Sequence, residues 1–187
     1  RFGNLGNILD FNTLTEENIY VLESPVLSNT QFDKFKNYFK ENIITIDCTF
    51  SSDQSLENAL EYIKKEAEIA IRQGFTQIVL TDKNVSDSKL PIPILLAVGA
   101  INTYLVKLKL RGYASINVQT GDAMDTHSFA TIIGVGATTV NPYLAFDSLY
   151  QRFNKKLFGN FEFDECVRRY IKSVNLGLLK IMSKMGI

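Results

Sequence analysis

Apolar positions along this chain follow two rhythms, short β-branched runs and longer stretches at helical spacing. Phe32, Phe35 and Phe39 recur at helical spacing behind Ser28-Asn-Thr-Gln31, a capping box, and predict a helix over 29–41. Residues 43–50 (IITIDCTF) are nearly continuous in apolar character, as in a strand covered on both faces. A turn and helix cap follow at Ser51-Ser-Asp53. Then Leu56, Ala59, Leu60, Ile63, Ala67, Ala70 and Ile71 mark one face of a helix that Gly74 ends. Glu61/Lys65 and Glu68/Arg72 sit at i,i+4 on its other face.

Residues 76–82 (TQIVLTD) predict the second strand and 83–90 a polar loop. Pro93 suits the first turn of a helix running to about residue 109. It is apolar almost all round through Ile101 and is expected to be largely buried. Lys107, Lys109 and Arg111 complement its C-terminal dipole, and Gly112 closes it. Strands over 114–120 and 137–141 flank a short helix through Phe129, Ile132 and Ile133. Gly134 and Gly136 end that helix and turn the chain into the next strand. An aromatic-rich helix begins at Pro142, residues 146–163 are aromatic and irregular, and Asp164 caps a final helix through Val167, Tyr170, Ile171, Val174, Leu178 and Met182. Residues 1–27 are read as an irregular N-terminal segment, 28–163 as a β/α core and 164–187 as a C-terminal helix.

Strands separated by helices imply α/β architecture with four consecutive β-α units and parallel strands. Periodicity leaves two arrangements open, half of an eightfold barrel and an open doubly wound sheet.

Composition narrows the function classes. Forty-five per cent hydrophobic and 21% charged residues describe a globular chain of one domain. Lys+Arg and Asp+Glu both number 20, so no global charge attracts nucleic acid. The basic end at Arg168, Arg169, Lys172, Lys180 and Lys184 reads as a solvated or interdomain face. No apolar run reaches the roughly 20 residues that span a bilayer. Cys48 and Cys166 stand far apart without metal-ligand spacing and read as reduced thiols of a cytoplasmic protein. The chain opens at Arg1 and its first methionine is Met124, so it is expected to be a piece of a longer polypeptide.

Parallel α/β folds gather chemistry at the C-terminal ends of their strands. Those positions hold Asp47, Thr49, Thr81, Asp82, Gln119, Thr120, Asp122 and Asn141, a polar rim. Paired carboxylates there could act as acid and base, and the same residue types also cap the following helices. His127 is the only histidine, so any triad must use it; a lone helical histidine more often serves as a structural hydrogen bonder. Gly3 and Gly6 lack both a preceding strand and a completed phosphate-binding motif, and Gly134-Val-Gly136 precedes a strand, the reverse of the dinucleotide order.

Several blocks carry a family resemblance in order: Arg1-Phe-Gly-Asn-Leu-Gly-Asn7, Leu22-Glu-Ser-Pro-Val-Leu27 and Leu90-Pro-Ile-Pro-Ile-Leu-Leu-Ala-Val-Gly-Ala100. His127-Ser-Phe-Ala130, Ile133-Gly-Val-Gly-Ala137 and Asn141-Pro-Tyr-Leu-Ala-Phe146 follow, then Tyr170-Ile-Lys172 and Gly177-Leu-Leu-Lys-Ile-Met-Ser-Lys-Met-Gly-Ile187. Together they resemble the central domain of the glutamate synthase large subunit, between its glutamine amidotransferase domain and its FMN-binding barrel.

The resemblance implies a rudimentary, half-barrel relative of the neighbouring (β/α)8 barrel. It implies a non-catalytic linking role in an enzyme that makes two L-glutamates from L-glutamine and 2-oxoglutarate, using NAD(P)H or ferredoxin. The implied partners are the amidotransferase and FMN domains of the same polypeptide, with a small reductase subunit a further candidate. FMN and an iron–sulfur cluster are implied for the parent enzyme. No catalytic, cofactor-binding or metal residue is expected in this segment. Two departures from the family pattern, Ile101-Asn-Thr-Tyr104 where members often carry histidines and Gln119 with Met124 where an acidic residue and an arginine are common, weaken a ligand role for the rim. The competing readings are a free-standing half-barrel that binds a phosphorylated or amino-acid ligand, and an interaction module docking through its basic C-terminal helix.

Overall fold

The computed structural model describes residues 20–187; the predicted irregular stretch before Tyr20 lies outside the described residues. Four parallel strands form the main sheet: β1 (Ile43–Asp47), β3 (Gln77–Thr81), β5 (Ser115–Gln119) and β6 (Thr139–Asn141), side by side in chain order. Between β1 and β3 run β2 (Thr49–Ser51) and α2 (Leu56–Arg72); between β3 and β5, β4 (Lys89–Pro91) and α3 (Ile94–Lys107). Helix α4 (Thr126–Gly134) joins β5 to β6, and α1 (Asn29–Phe39), α5 (Tyr143–Asn154) and α6 (Phe163–Met185) complete the chain. Residues 25–27 are not irregular. They lie parallel to β6, where the Leu27 amide donates to the Val140 carbonyl at 2.9 Å and the Val140 amide to that of Pro25 at 2.8 Å.

Strand alternation divides the core in two. Ile46, Ile78, Leu80, Ile116, Val118 and Val140 point to one face and are buried with α2, α3, α4 and α6. Val79 points to the other, where Phe32, Phe35 and Phe39 of α1 cover it with Leu27. The predicted capping box holds α1, with the Gln31 amide donating to Ser28 Oγ and the Ser28 amide to Gln31 Oε1. Helix α2 is capped by Ser55 instead of the predicted Asp53, and Glu61 pairs with Lys64, one residue nearer than the predicted Lys65; Glu68 does pair with Arg72.

The structure corrects five further expectations. The apolar run 43–50 is broken at Cys48, where Asp47 Oδ1 accepts from the Thr49 amide at 3.0 Å and the Thr49 hydroxyl at 2.8 Å. Beyond this Asx-type turn, β2 pairs antiparallel with β4, which lies partly within the predicted polar loop. Helix α3 ends without Gly112: Lys109 takes the left-handed turn (φ 61°) and Gly112 sits in a 3-10 turn, Arg111–Tyr113. Much of the predicted irregular 146–163 stretch is α5, and Glu162, not Asp164, stands at the N-cap of α6.

Gly177 lets α6 approach α4. A Cβ there would lie 2.5 Å from Thr126 Cγ2 and 2.7 Å from its Oγ1. Gly177→Ala is expected to cost about 1–3 kcal/mol by overpacking. Thr126→Ala in the same chain should recover most of that loss in urea unfolding, and full additivity of the two changes would refute the contact.

Candidate functional site

The rim separates into two hydrogen-bonded sets, because strand alternation sends neighbouring residues to opposite faces. Parallel register places Asp47, Thr81, Gln119 and Asn141 in one row across the four strands. The Thr81 hydroxyl donates to Gln119 Oε1 at 3.2 Å, and Gln119 Nε2 donates to Asn141 Oδ1 at 3.1 Å. Asn141 Nδ2 then donates to the Leu27 carbonyl and to Asn29 Oδ1, both at 3.0 Å. The row therefore ends on the segment that leads into α1.

A second row lies deeper on the same face. Asn117 Nδ2 donates to Gln77 Oε1 at 3.1 Å and the Thr139 hydroxyl to Asn117 Oδ1 at 2.8 Å, all three residues being buried. Sequence reasoning missed Gln77, Asn117 and Thr139 because it searched only the strand ends. The signal was present as polar residues alternating with Ile, Val and Leu in QIVLT, SINVQ and TVN.

Asp82, Thr120 and Asp122 form the other set. Asp82 is 3% exposed; its carboxylate accepts from the Thr120 hydroxyl, from the Gly121 amide at 3.1 Å and from the Tyr143 hydroxyl. The Asp122 amide donates to Thr120 Oγ1 at 3.0 Å, and Asp122 Oδ2 accepts from the Ile94 amide at 3.0 Å. Asp122 thus satisfies an open amide at the start of α3, a helix that precedes it in the chain, rather than the following helix as capping arithmetic predicts. The following helix α4 is capped by Asp125, whose Oδ1 accepts from the Ser128 amide at 2.8 Å.

Burial is the first cause that raises the Asp82 carboxyl above its ordinary 3.8; the Asp122 charge adds to it, and the hydrogen bonds from Thr120, Gly121 and Tyr143 oppose it. Burial likewise pushes the Tyr143 phenol up to about 12, with the Asp82 charge second. A raised carboxyl binds more protons in the folded than in the unfolded chain above pH 3.8, so its contribution to stability falls as pH rises through the folded value. Asp82→Asn removes this dependence. The stability difference between the native chain and the variant is expected to narrow as pH rises from about 4 to about 7; urea unfolding across that range that showed it widening would contradict this environment.

The remaining candidates are placed apart. Asp47 is half-buried, its second oxygen accepting from Asn84 Nδ2 at 3.0 Å, with Lys89 Nζ at 3.9 Å. His127 lies exposed in the first turn of α4, and among the described residues its ring receives no hydrogen bond from the rim. Cys48 is buried and its thiol is pushed up to about 12, first by burial and then by the Asp47 and Asp82 charges, which suppresses the thiolate that nucleophilic or ligating chemistry needs. Among the described residues no three His, Cys, Asp or Glu side chains converge as metal ligands, and no helix is long and apolar enough to cross a membrane.

What the rim does chemically is join loops. No buried side-chain nitrogen or oxygen among the described residues lacks a partner, so the carboxylates and amides spend their hydrogen bonds on backbone and on each other. Comparison with known proteins gives this framework its context. The profile of the glutamate synthase central domain matches residues 1–187. The glutamate synthase (NADPH) large chain of Azospirillum brasilense is 44% identical over the whole of this chain, and that of Bacillus subtilis is 40% identical over 89% of it. A ferredoxin-dependent glutamate synthase of Arabidopsis thaliana is 34% identical over 99%. This chain spans 12%, 11% and 12% of these three relatives. An end-to-end match on an α/β framework of this kind has one consequence: the chain belongs to the glutamate synthase central domain family.

Proposed function

We propose that this chain is the non-catalytic central segment of a glutamate synthase large subunit, holding an amidotransferase domain and an FMN-binding domain in register for ammonia transfer. The parent enzyme makes two L-glutamates from L-glutamine and 2-oxoglutarate in the cytoplasm, with electrons from a nicotinamide cofactor or ferredoxin. Residues 1–187 act as one unit: an N-terminal segment to residue 27, a β/α core over 28–163 and a C-terminal helix over 164–187 that leads toward the FMN domain. The core is half of a (β/α)8 barrel, a reading supported by four parallel strands lying side by side in chain order, without the reversal of a doubly wound sheet.

The observation that carries the proposal is the end-to-end match to large chains of which this segment is about an eighth. Relatives named for NADPH, NADH and ferredoxin all share the segment, which supports a role independent of the electron donor. FMN and the iron–sulfur cluster belong to other domains of the parent. The two cysteines here are both buried, Cys48 at the break between β1 and β2 and Cys166 in α6, and do not make a cluster's donor set. No residue of this chain is assigned to catalysis, cofactor or metal. A small reductase subunit is a further candidate partner of the parent.

The test compares the 187-residue chain with the full-length subunit that contains it. The full-length protein should form glutamate from glutamine and 2-oxoglutarate, and the chain alone should turn over neither. Turnover by the isolated chain, or none by the full-length protein with its donor, overturns the proposal.

A further inference from the structure

Helix α6 is anchored along its first part and projects along its last. The Tyr170 hydroxyl donates to the Met124 carbonyl at 3.0 Å, and the Ser24 hydroxyl donates to Asn175 Oδ1 at 2.8 Å. Val174 and Leu178 are buried, and Gly177 brings the helix against Thr126. Beyond Leu178 no side chain of α6 is buried among the described residues. The helix nevertheless runs on through Met185, so residues 179–185 form an arm of about 10 Å at 1.5 Å per residue.

The backbone is what stops this arm. Residues 179–185 contain neither proline nor glycine, and side-chain packing does not end the helix there. Gly186 takes the left-handed conformation, φ 75° and ψ 30°, and its amide donates to the Met182 carbonyl. The Ile187 amide donates to the same carbonyl at 3.1 Å. Together these bonds make a Schellman-type stop, which turns the chain off the helix axis. Nothing in the described chain lies within 4 Å of where a Gly186 Cβ would stand, so space does not demand glycine. Conformation does, because a Cβ disfavours the left-handed well. In a continuing helix φ would move from 75° to about −63°, and the chain would leave in another direction.

We propose that Gly186 is a positioning residue: its left-handed stop, at the end of the arm that α6 extends past Leu178, sets the direction in which the chain enters the FMN-binding domain. The inference rests on the reading of this chain as the central segment of the large subunit. It assigns part of the register for ammonia transfer to one backbone conformation.

The test uses the full-length holoenzyme, driven by whichever of NADPH, NADH or reduced ferredoxin the native protein accepts. Two rates are measured, kcat for glutamate formation from glutamine and 2-oxoglutarate, and bleaching of the flavin by the same donor. The first needs ammonia to pass between domains and the second does not, so their ratio reads register and cancels general damage. Valine is β-branched and ill suited to the left-handed well. Gly186→Val is expected to lower the ratio at least about tenfold, as small misplacements of reacting groups do. Asparagine tolerates that well, so Gly186→Asn should keep the native ratio. A native ratio in Gly186→Val overturns the proposal. An equal fall in Gly186→Asn also overturns it, because side-chain bulk and not backbone conformation would then be the cause. Failure of the parent reading shows separately, as a native holoenzyme that forms no glutamate from glutamine.

Discussion

Replacing Gly136 with alanine is expected to destabilise the chain by about 3 kcal/mol, the sum of backbone strain and a steric clash. Gly136 has φ 128°, a conformation open to glycine and closed to residues with a Cβ. An added Cβ would lie 2.6 Å from both Cγ and Oδ1 of Asn102. Asn102 cannot retreat without loss, because its Oδ1 accepts from Arg111 Nε at 2.6 Å, and the same guanidinium donates to the carbonyls of Ala114 at 2.7 Å and Gly136 at 2.8 Å. One half-buried arginine thus joins α3, the start of β5 and the turn into β6. For a chain of this length the loss corresponds to a fall of roughly 6–12 °C in melting temperature. Asn102→Ala in the same chain relieves the clash but not the strain, so it should recover only part of the loss. A cost below about 1 kcal/mol in urea unfolding would contradict the assignment.

Asn141→Ala is the second large effect, expected at about 3 kcal/mol. Asn141 is fully buried at the end of the outer polar row. Its removal strips Gln119 Nε2 of its acceptor and leaves the Leu27 carbonyl and Asn29 Oδ1 without its amide. Buried groups deprived of partners cost more than the bonds themselves contributed. The same variant examines function. In the full-length subunit, kcat for glutamate formation well below the melting temperature should be unchanged if, as proposed, the rim only ties the lead-in to α1 onto the sheet. A collapse of kcat with the fold intact would assign chemistry to the rim and defeat the framework reading.

Elements with a strong local signal were legible without coordinates. Helix α2 has its apolar face set at helical spacing from Leu56 to Ile71, and the Ser28 capping box places the start of α1. The break in the first predicted strand was not legible. Residues 43–50 read as one apolar run, whereas the choice between continuing beside β3 and crossing to β4 depends on a partner some 40 positions away. Likewise Gly112 looked like a helix stop, while Lys109 made the turn and Arg111 was drawn to carbonyls of other segments.

The same division runs through the candidate site. Spacing alone identified the rim residues, because strand ends in a parallel sheet can be counted. It could not say that Asp82 would be enclosed by Thr120, Gly121 and Tyr143, or that Asp122 would serve a helix behind it in the chain. The sequence by itself determined the α/β order, the approximate strand and helix positions and the family, since these depend on residue type and on neighbours within a few turns. Only the tertiary structure decided which polar groups were consumed as hydrogen-bond partners and that Leu95 and Leu96 of α3, expected to be buried, stand exposed among the described residues. Those outcomes are set by contacts between residues distant in sequence, and local periodicity carries no information about them.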